Sequence, residues 1–487
     1  LVSGAAISTN SKTSAAAALK SPFLKQNWKP VEKESDAWKF VCLTKDNIPD
    51  DLPNGTFVRT GPNPYDLSEI NPKSYHFFSG DGMVHGVKIN NENVLYKNQY
   101  VQTGNIMKNN LAGRGNTAMV YHNGSLYACD EGSRPYELKF DTLQTIRQQD
   151  FNGLLKHTFS AHPKVCPNTK ELHFIGYGRH DVPNSAAFTH YSVVDKNGML
   201  LKTVPINYRR PTPLIHDMAI TENHAIFMDF PLYDMAGPTK IEDKTMFGIL
   251  PRNAMDESEM IWIESKGMYG FHVANAWETF DEENSSILIN LLMVTSLNFH
   301  FQRSNISGLR LRHFIFDLKT KKEVSCNVVS DVSMDFPIID NRKVSKRTRY
   351  IYGSRLTTKI SLPLPIDGLT RYDIETGETI EIDFPEGVYG GECQFVPKQY
   401  NKGTADTGLS NEDGEGYLLV LCYTEAKDQS QLVIYDALSM SKKPISIINM
   451  PARIPYGFHA LWIYAEDENN FGNIDKLIPP LSIRSKL

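Results

Sequence analysis

Asn123-Gly-Ser-Leu-Tyr-Ala-Cys129 opens with a turn dipeptide and runs directly into strand formers. Asn-Gly suits the two positive-φ positions of a two-residue hairpin, and the Leu126–Cys129 run after it has strand length. The same unit recurs along the chain. Short apolar or alternating runs stand at Gly55–Thr60, Met83–Ile89, Leu172–Gly176, Ala225–Asp229, Leu309–Asp317 and Gly416–Tyr423. Turn pairs such as Asp81-Gly82, Asn197-Gly198 and Asp413-Gly414 fall between runs. Long helical periods are scarce, so the chain reads as an all-β sandwich, barrel or propeller. Length favours the propeller. Without a tail of about 35 residues, seven blades take about 65 residues each, against about 40–45 for a WD40-type blade. The excess is expected in loops at Pro231–Arg252, Ser333–Pro365 and Gln399–Gly416. No WD or Kelch repeat motif is found.

Composition narrows the function classes. The 487 residues carry a formal net charge of -5, with 41% hydrophobic and 22% charged residues. That is a globular balance without a basic footprint for nucleic acid. No run of about 18 apolar residues occurs, and the most apolar stretch, Ile287 to Val294, is broken by Asn290 and has strand length. The six cysteines are scattered without a CxxC pair, which disfavours a zinc ribbon or a dense disulfide scaffold and favours free thiols. Residues 1–26 contain no Asp or Glu. This stretch reads as a disordered tail, or as the remnant of a plastid or mitochondrial transit peptide. The expected organisation is a flexible N-terminal segment, 1–37, followed by one domain, 38–487.

Four of the 14 histidines share a local style. His162 lies in Thr158-Phe-Ser-Ala-His-Pro-Lys, His216 in Pro213-Leu-Ile-His-Asp-Met-Ala-Ile-Thr, His272 in Tyr269-Gly-Phe-His-Val-Ala-Asn, and His459 in Pro455-Tyr-Gly-Phe-His-Ala-Leu-Trp. Their first two separations, 54 and 56 residues, are near one blade length. The third gap is about three blade lengths. Equivalent positions in successive blades face one axis, where four imidazoles would make a metal site. Singly, each would read as a core histidine, and imidazole suits Zn, Cu, Fe and Ni alike.

These segments, taken with Gly55-Thr-Phe-Val-Arg-Thr-Gly-Pro-Asn-Pro, Phe78-Ser-Gly-Asp-Gly-Met-Val-His and Gly391-Glu-Cys-Gln-Phe-Val-Pro, resemble the carotenoid oxygenase (carotenoid cleavage dioxygenase) family from about Trp38 onward. The resemblance implies a seven-bladed β-propeller with a cap of loops and short helices over one face. It also implies Fe(2+) on the axis, held by His162, His216, His272 and His459. Carboxylates at Glu131, Asp335 and Glu392 match positions that support three of the histidines. The family usually has Glu where this chain has Asp335. Asp is one methylene shorter, so either the backbone comes closer or the bond is long or water-bridged. Thr117 matches a threonine that crowds the vacant side of the metal. Phe271 and Phe336 match aromatic positions along the substrate tunnel.

The implied activity is O2-dependent cleavage of a conjugated C=C bond of a carotenoid or apocarotenoid to two carbonyl products. Both electron pairs come from the alkene, so no external reductant is required. The expected partners are an apolar polyene and O2. The expected placement is cytoplasmic and peripheral to a membrane, with Phe230–Tyr233 and Leu362–Ile366 as candidate apolar contributors. The alternatives are a stilbene-cleaving dioxygenase, a zinc hydrolase and a non-catalytic propeller binding protein. Stilbene-cleaving members carry a Lys just before the first supporting Glu, where this chain has Asp130. The Pro-Asp-Pro-Cys-Lys segment of retinoid isomerases is absent.

Overall fold

A computed structural model describes residues 21–41, 48–71, 75–91, 93–177, 189–208, 215–231, 244–297, 308–357, 365–401 and 408–465. Seven antiparallel sheets of four or five strands form the blades of a β-propeller, beside one two-stranded hairpin. The innermost strands are β1 (Ala118–His122), β2 (Lys164–Val165), β3 (Met218–Ile220), β4 (Tyr269–Asp281), β5 (Met334–Ile338), β6 (Cys393–Pro397) and β7 (Ala460–Tyr464). An even number of antiparallel strands returns the chain to the end of the axis from which it left. All seven inner strands therefore begin at the same end, and residues just before or at their starts are gathered there.

The turn chemistry explains the hairpins. Asn123 and Gly124 both have positive φ, 47° and 75°, and join β1 to Ser125–Cys129. Asp81-Gly82 behaves differently. Gly82 lies opposite Pro62 in a strand pair, and Asp81 accepts from the Tyr65 amide at 3.0 Å and Asn105 Nδ2 at 2.7 Å. It anchors a long connection rather than a tight hairpin.

Blades pack through apolar faces. Phe247 of one blade meets Phe314 and Phe316 of the next, with ring centroids 5.1 and 4.8 Å apart. Burying each such ring contributes about 1.5–3 kcal/mol. The ring closes where β7 pairs with Gly55–Pro62, setting Gly55 opposite Tyr464 and Arg59 opposite Ala460. A Cβ on Gly55 would come 2.4 Å from the Trp462 ring, so this closure requires glycine.

Two sequence expectations change. The supposed loops contain strands: Thr245–Pro251 in the first, β5 and Tyr350–Leu356 in the second, and the pair Gln399–Tyr400 and Gly408–Leu409 in the third. Gly248 and Pro337 interrupt the strand signal in the first two. Of the segment 1–37, residues 21–37 are packed onto the propeller. Trp28 is buried against Phe77, Tyr456 and Phe458. The expected cap is described in part, with short helical turns at Leu67–Glu69, Phe77–Ser79 and Gly104–Met107 in connections at the end where the inner strands begin. Of the candidate apolar contributors, Phe230 and Ile366 are buried, while Leu232, Tyr233 and 362–364 lie outside the described residues, as does Cys42. The five described cysteines are free thiols.

Candidate metal centre

The seven starts of the inner strands deliver one polar set to the axis. Thr117, His162, His216 and His459 immediately or nearly precede β1, β2, β3 and β7, and Glu392 precedes β6. His272 and Asp335 lie near the starts of β4 and β5. One ligand atom from each of the four histidines lies within 4.8 Å of all the others. His162 Nε2 stands 2.8 Å from His216 Nε2, which stands 3.1 Å from His272 Nε2. About 3 Å is the spacing of neighbouring donors around an ion bonded at about 2.1 Å.

Three of the rings meet a carboxylate through Nδ1. His272 faces Asp335 Oδ1 at 2.6 Å, His459 faces Glu392 Oε1 at 2.9 Å, and His216 faces Glu131 Oε1 at 3.1 Å. At His272 and His459 the contact is a hydrogen bond, and a carboxylate accepts only, so there Nδ1 carries the proton and Nε2 is left with its lone pair towards the centre. Lone pairs converging at such distances repel unless a cation sits between them. The donor set therefore fits a metal ion bound by neutral imidazoles.

Electrostatics differ around the ring. Burial, helped by the other three imidazoles, holds His162 well below the ordinary histidine range. Burial also lowers His272, partly offset by Asp335. Burial opposes charge on His216 too, but Glu131, with Asp217 and Asp335, outweighs it and raises this imidazole.

Asp335 makes the shortest of the three contacts, so the missing methylene leaves this bond neither long nor water-bridged. The ladder of β5 shifts register between Asp335 and Ile338, and Phe336 sits at φ +51°. Such a bulge bends the strand and re-aims its side chains. Glu392 has further partners: Oε2 accepts from the Ala460 amide at 2.6 Å and Gln394 Nε2 at 3.2 Å.

The aromatic positions pack on the ligand rings. Phe271 is edge-on to His216 at 4.9 Å, and Phe336 stacks on His272 at 5.1 Å and lies 5.3 Å from His459. The Thr117 carbonyl accepts from the His459 amide at 3.1 Å, while its hydroxyl donates to Asn116 Oδ1 at 3.0 Å. The Asp130 carboxylate is occupied by backbone, accepting from the amides of Arg114, Gly115 and Gly132. Sequence reading missed two residues. Tyr177 donates to Glu131 Oε2 at 2.7 Å, and Ser160 links the His162 amide to the His216 carbonyl, both at 3.2 Å. Neither carries a local signal, since each matters only through a neighbouring blade or loop.

The family model described as RPE65, retinal pigment epithelial membrane protein, matches residues 28–464. The chain belongs to this carotenoid oxygenase family. Among its relatives, the carotenoid 9,10(9',10')-cleavage dioxygenase of Crocus sativus is 31% identical, over 91% of this chain and 89% of that protein. Two solved structures share the fold. The Pseudomonas brassicacearum lignostilbene dioxygenase superposes with a TM-score of 0.76 at 22% identity, covering 91% of this chain and 99% of that one. Cobalt-substituted Synechocystis ACO gives 0.73 at 23%, covering 91% and 98%.

Proposed function

We propose that this protein is an Fe(II)-dependent dioxygenase that cleaves a conjugated C=C bond of a carotenoid or apocarotenoid with O2, giving two carbonyl products. The observation that carries the reading is the convergence of four imidazoles, three of them backed by carboxylates through Nδ1. In this reading His162, His216, His272 and His459 hold the ion, and Glu131, Asp335 and Glu392 fix the rings and keep Nε2 available. Iron bound there would supply activation of O2 towards the alkene. Phe271 and Phe336 offer flat apolar surfaces to a polyene beside the ligand rings. Thr117, which precedes β1 at the same end of the axis, would crowd one side of the centre and narrow what can approach it.

The printed activity of the Crocus sativus relative supports a carotenoid over a stilbene. Asp130 stands where a phenol-binding lysine would be expected, and its carboxylate is turned onto backbone amides. Among the described residues no helix is long and apolar enough to cross a membrane. Because a polyene partitions into lipid, it is proposed to be taken up by peripheral contact with a membrane. The test is iron-loaded protein incubated under air with an apocarotenal and, separately, with resveratrol. Two carbonyl products from the apocarotenal with uptake of O2 are expected. Cleavage of resveratrol alone would replace the carotenoid reading with the stilbene one.

A further inference from the structure

Inner strands of neighbouring blades share no hydrogen-bonded ladder. Their relative heights along the axis must be fixed by side chains, because a one-residue slide moves a strand about 3.3 Å. A metal site needs its ligands held within about 0.5 Å. On one side of the histidine ring, the pairs Asp335–His272 and Glu392–His459 bridge adjacent blades and do this. On the other side, β2 and β3 are only two and three residues long, and no carboxylate is seen on His162 among the described residues.

Asp217 lies in that gap with its side chain 1% exposed. It follows His216, but its partners are backbone amides and a lysine rather than an imidazole. Its Oδ2 accepts from the Val273 amide at 2.8 Å, one residue beyond His272. Its Oδ1 accepts from the Met218 amide at 2.6 Å and lies 2.8 Å from Lys164 Nζ, two residues beyond His162. One buried carboxylate thus ties together the three strands that carry His162, His216 and His272.

We infer that Asp217 and Lys164 are a positioning pair that sets the mutual height of these three histidines and so the affinity of the centre for its metal. This rests on the metal-site reading above. The tie runs through backbone and strand position, whereas Glu131, Asp335 and Glu392 act directly on the rings. Lys164 lines an axial cavity of about 740 Å³ that also touches His162, His272 and His459. Shortening Lys164 therefore opens onto that cavity rather than collapsing a packed core, and the variant is expected to fold.

The test compares wild type, Lys164→Arg, Lys164→Met and Asp217→Asn. Apo-protein Tm is measured calorimetrically, and Co(II) affinity by chelator competition, with the visible Co(II) bands reporting coordination. Lys164→Met and Asp217→Asn are expected to weaken Co(II) binding about 10–100-fold and to alter the bands. Their apo Tm should move by less than about 3 °C. Lys164→Arg, which keeps the ion pair, should bind within about threefold of wild type. Wild-type protein that does not bind Co(II) would bring down the metal-site reading and this inference together. A binding wild type with Lys164→Met and Asp217→Asn equally tight would overturn the inference and leave the metal site standing. So would affinity lost only in step with apo Tm, or Lys164→Arg as weak as Lys164→Met.

Discussion

The two halves of the histidine ring are built differently. His272 and His459 face Asp335 and Glu392, whose side chains are 6% and 7% exposed and ride on or beside inner strands. His216 faces Glu131, which is 29% exposed, follows the second strand of its blade and is shared with Tyr177. His162 is placed by its strand and by Ser160. A carboxylate embedded near the axis is held by the sheet itself, as the Ala460 amide holds Glu392. A loop-borne carboxylate is held by whatever side chain reaches it. The first half is therefore the stiffer support, and the second depends on ties between strands.

The harshest way to break this comparison is to remove a ligand from the stiff half. His272→Ala should abolish iron retention, measured by elemental analysis, and with it O2-dependent cleavage. Retained stoichiometric iron would refute the four-histidine assignment.

Acid acts first on the other half. The metal takes neutral imidazole, so protons compete with it. His216 is raised from the ordinary histidine value, whereas His162 and His272 are lowered, so it holds its proton at higher pH than those two. As pH falls through that raised value, metal affinity should drop by about tenfold per pH unit. Because Glu131 is the main cause of the raising, Glu131→Gln should shift the onset of loss to lower pH. A chelator-competition profile of the two proteins decides this, and an onset at the same or higher pH would contradict it.

At neutral pH the carboxylates should rank by how firmly they are held. Glu392→Gln is expected to weaken iron retention about 10–100-fold, and Asp335→Asn by a similar factor. Glu131→Gln should cost the least, under about tenfold. Dissociation rates of Fe(II) into a chelator give the order directly. A larger loss for Glu131→Gln than for Glu392→Gln would reverse the comparison.

Closure of the ring gives the smallest effect on the centre itself. Gly55→Ala forces a methyl into the Trp462 ring and should destabilise the fold by about 1–3 kcal/mol, read as a lower Tm. Metal affinity of the folded fraction should stay unchanged.

Strand runs, turn pairs and length favoured a propeller, and the four histidine segments pointed to the candidate ligands once their resemblance to the family was added. Glu131 and Glu392 were legible because their segments match the family as they stand. The sequence marked Asp335 as a methylene short without saying how the shortfall is met. That depends on a bulge at Phe336, and irregular backbone leaves no periodic trace. Pro337 was visible only as a break in the strand pattern. Asp130 was readable as a charge at a telling position, but only the folded loop shows that carboxylate bound to backbone amides. Lys164 and Asp217 sat in full view beside two of the histidines. Their contact joins residues far apart in the chain, across blades that share no ladder. Periodicity along one strand determines which way a side chain faces. The height of one strand against the next is set by contacts between strands, and those exist only in the tertiary structure.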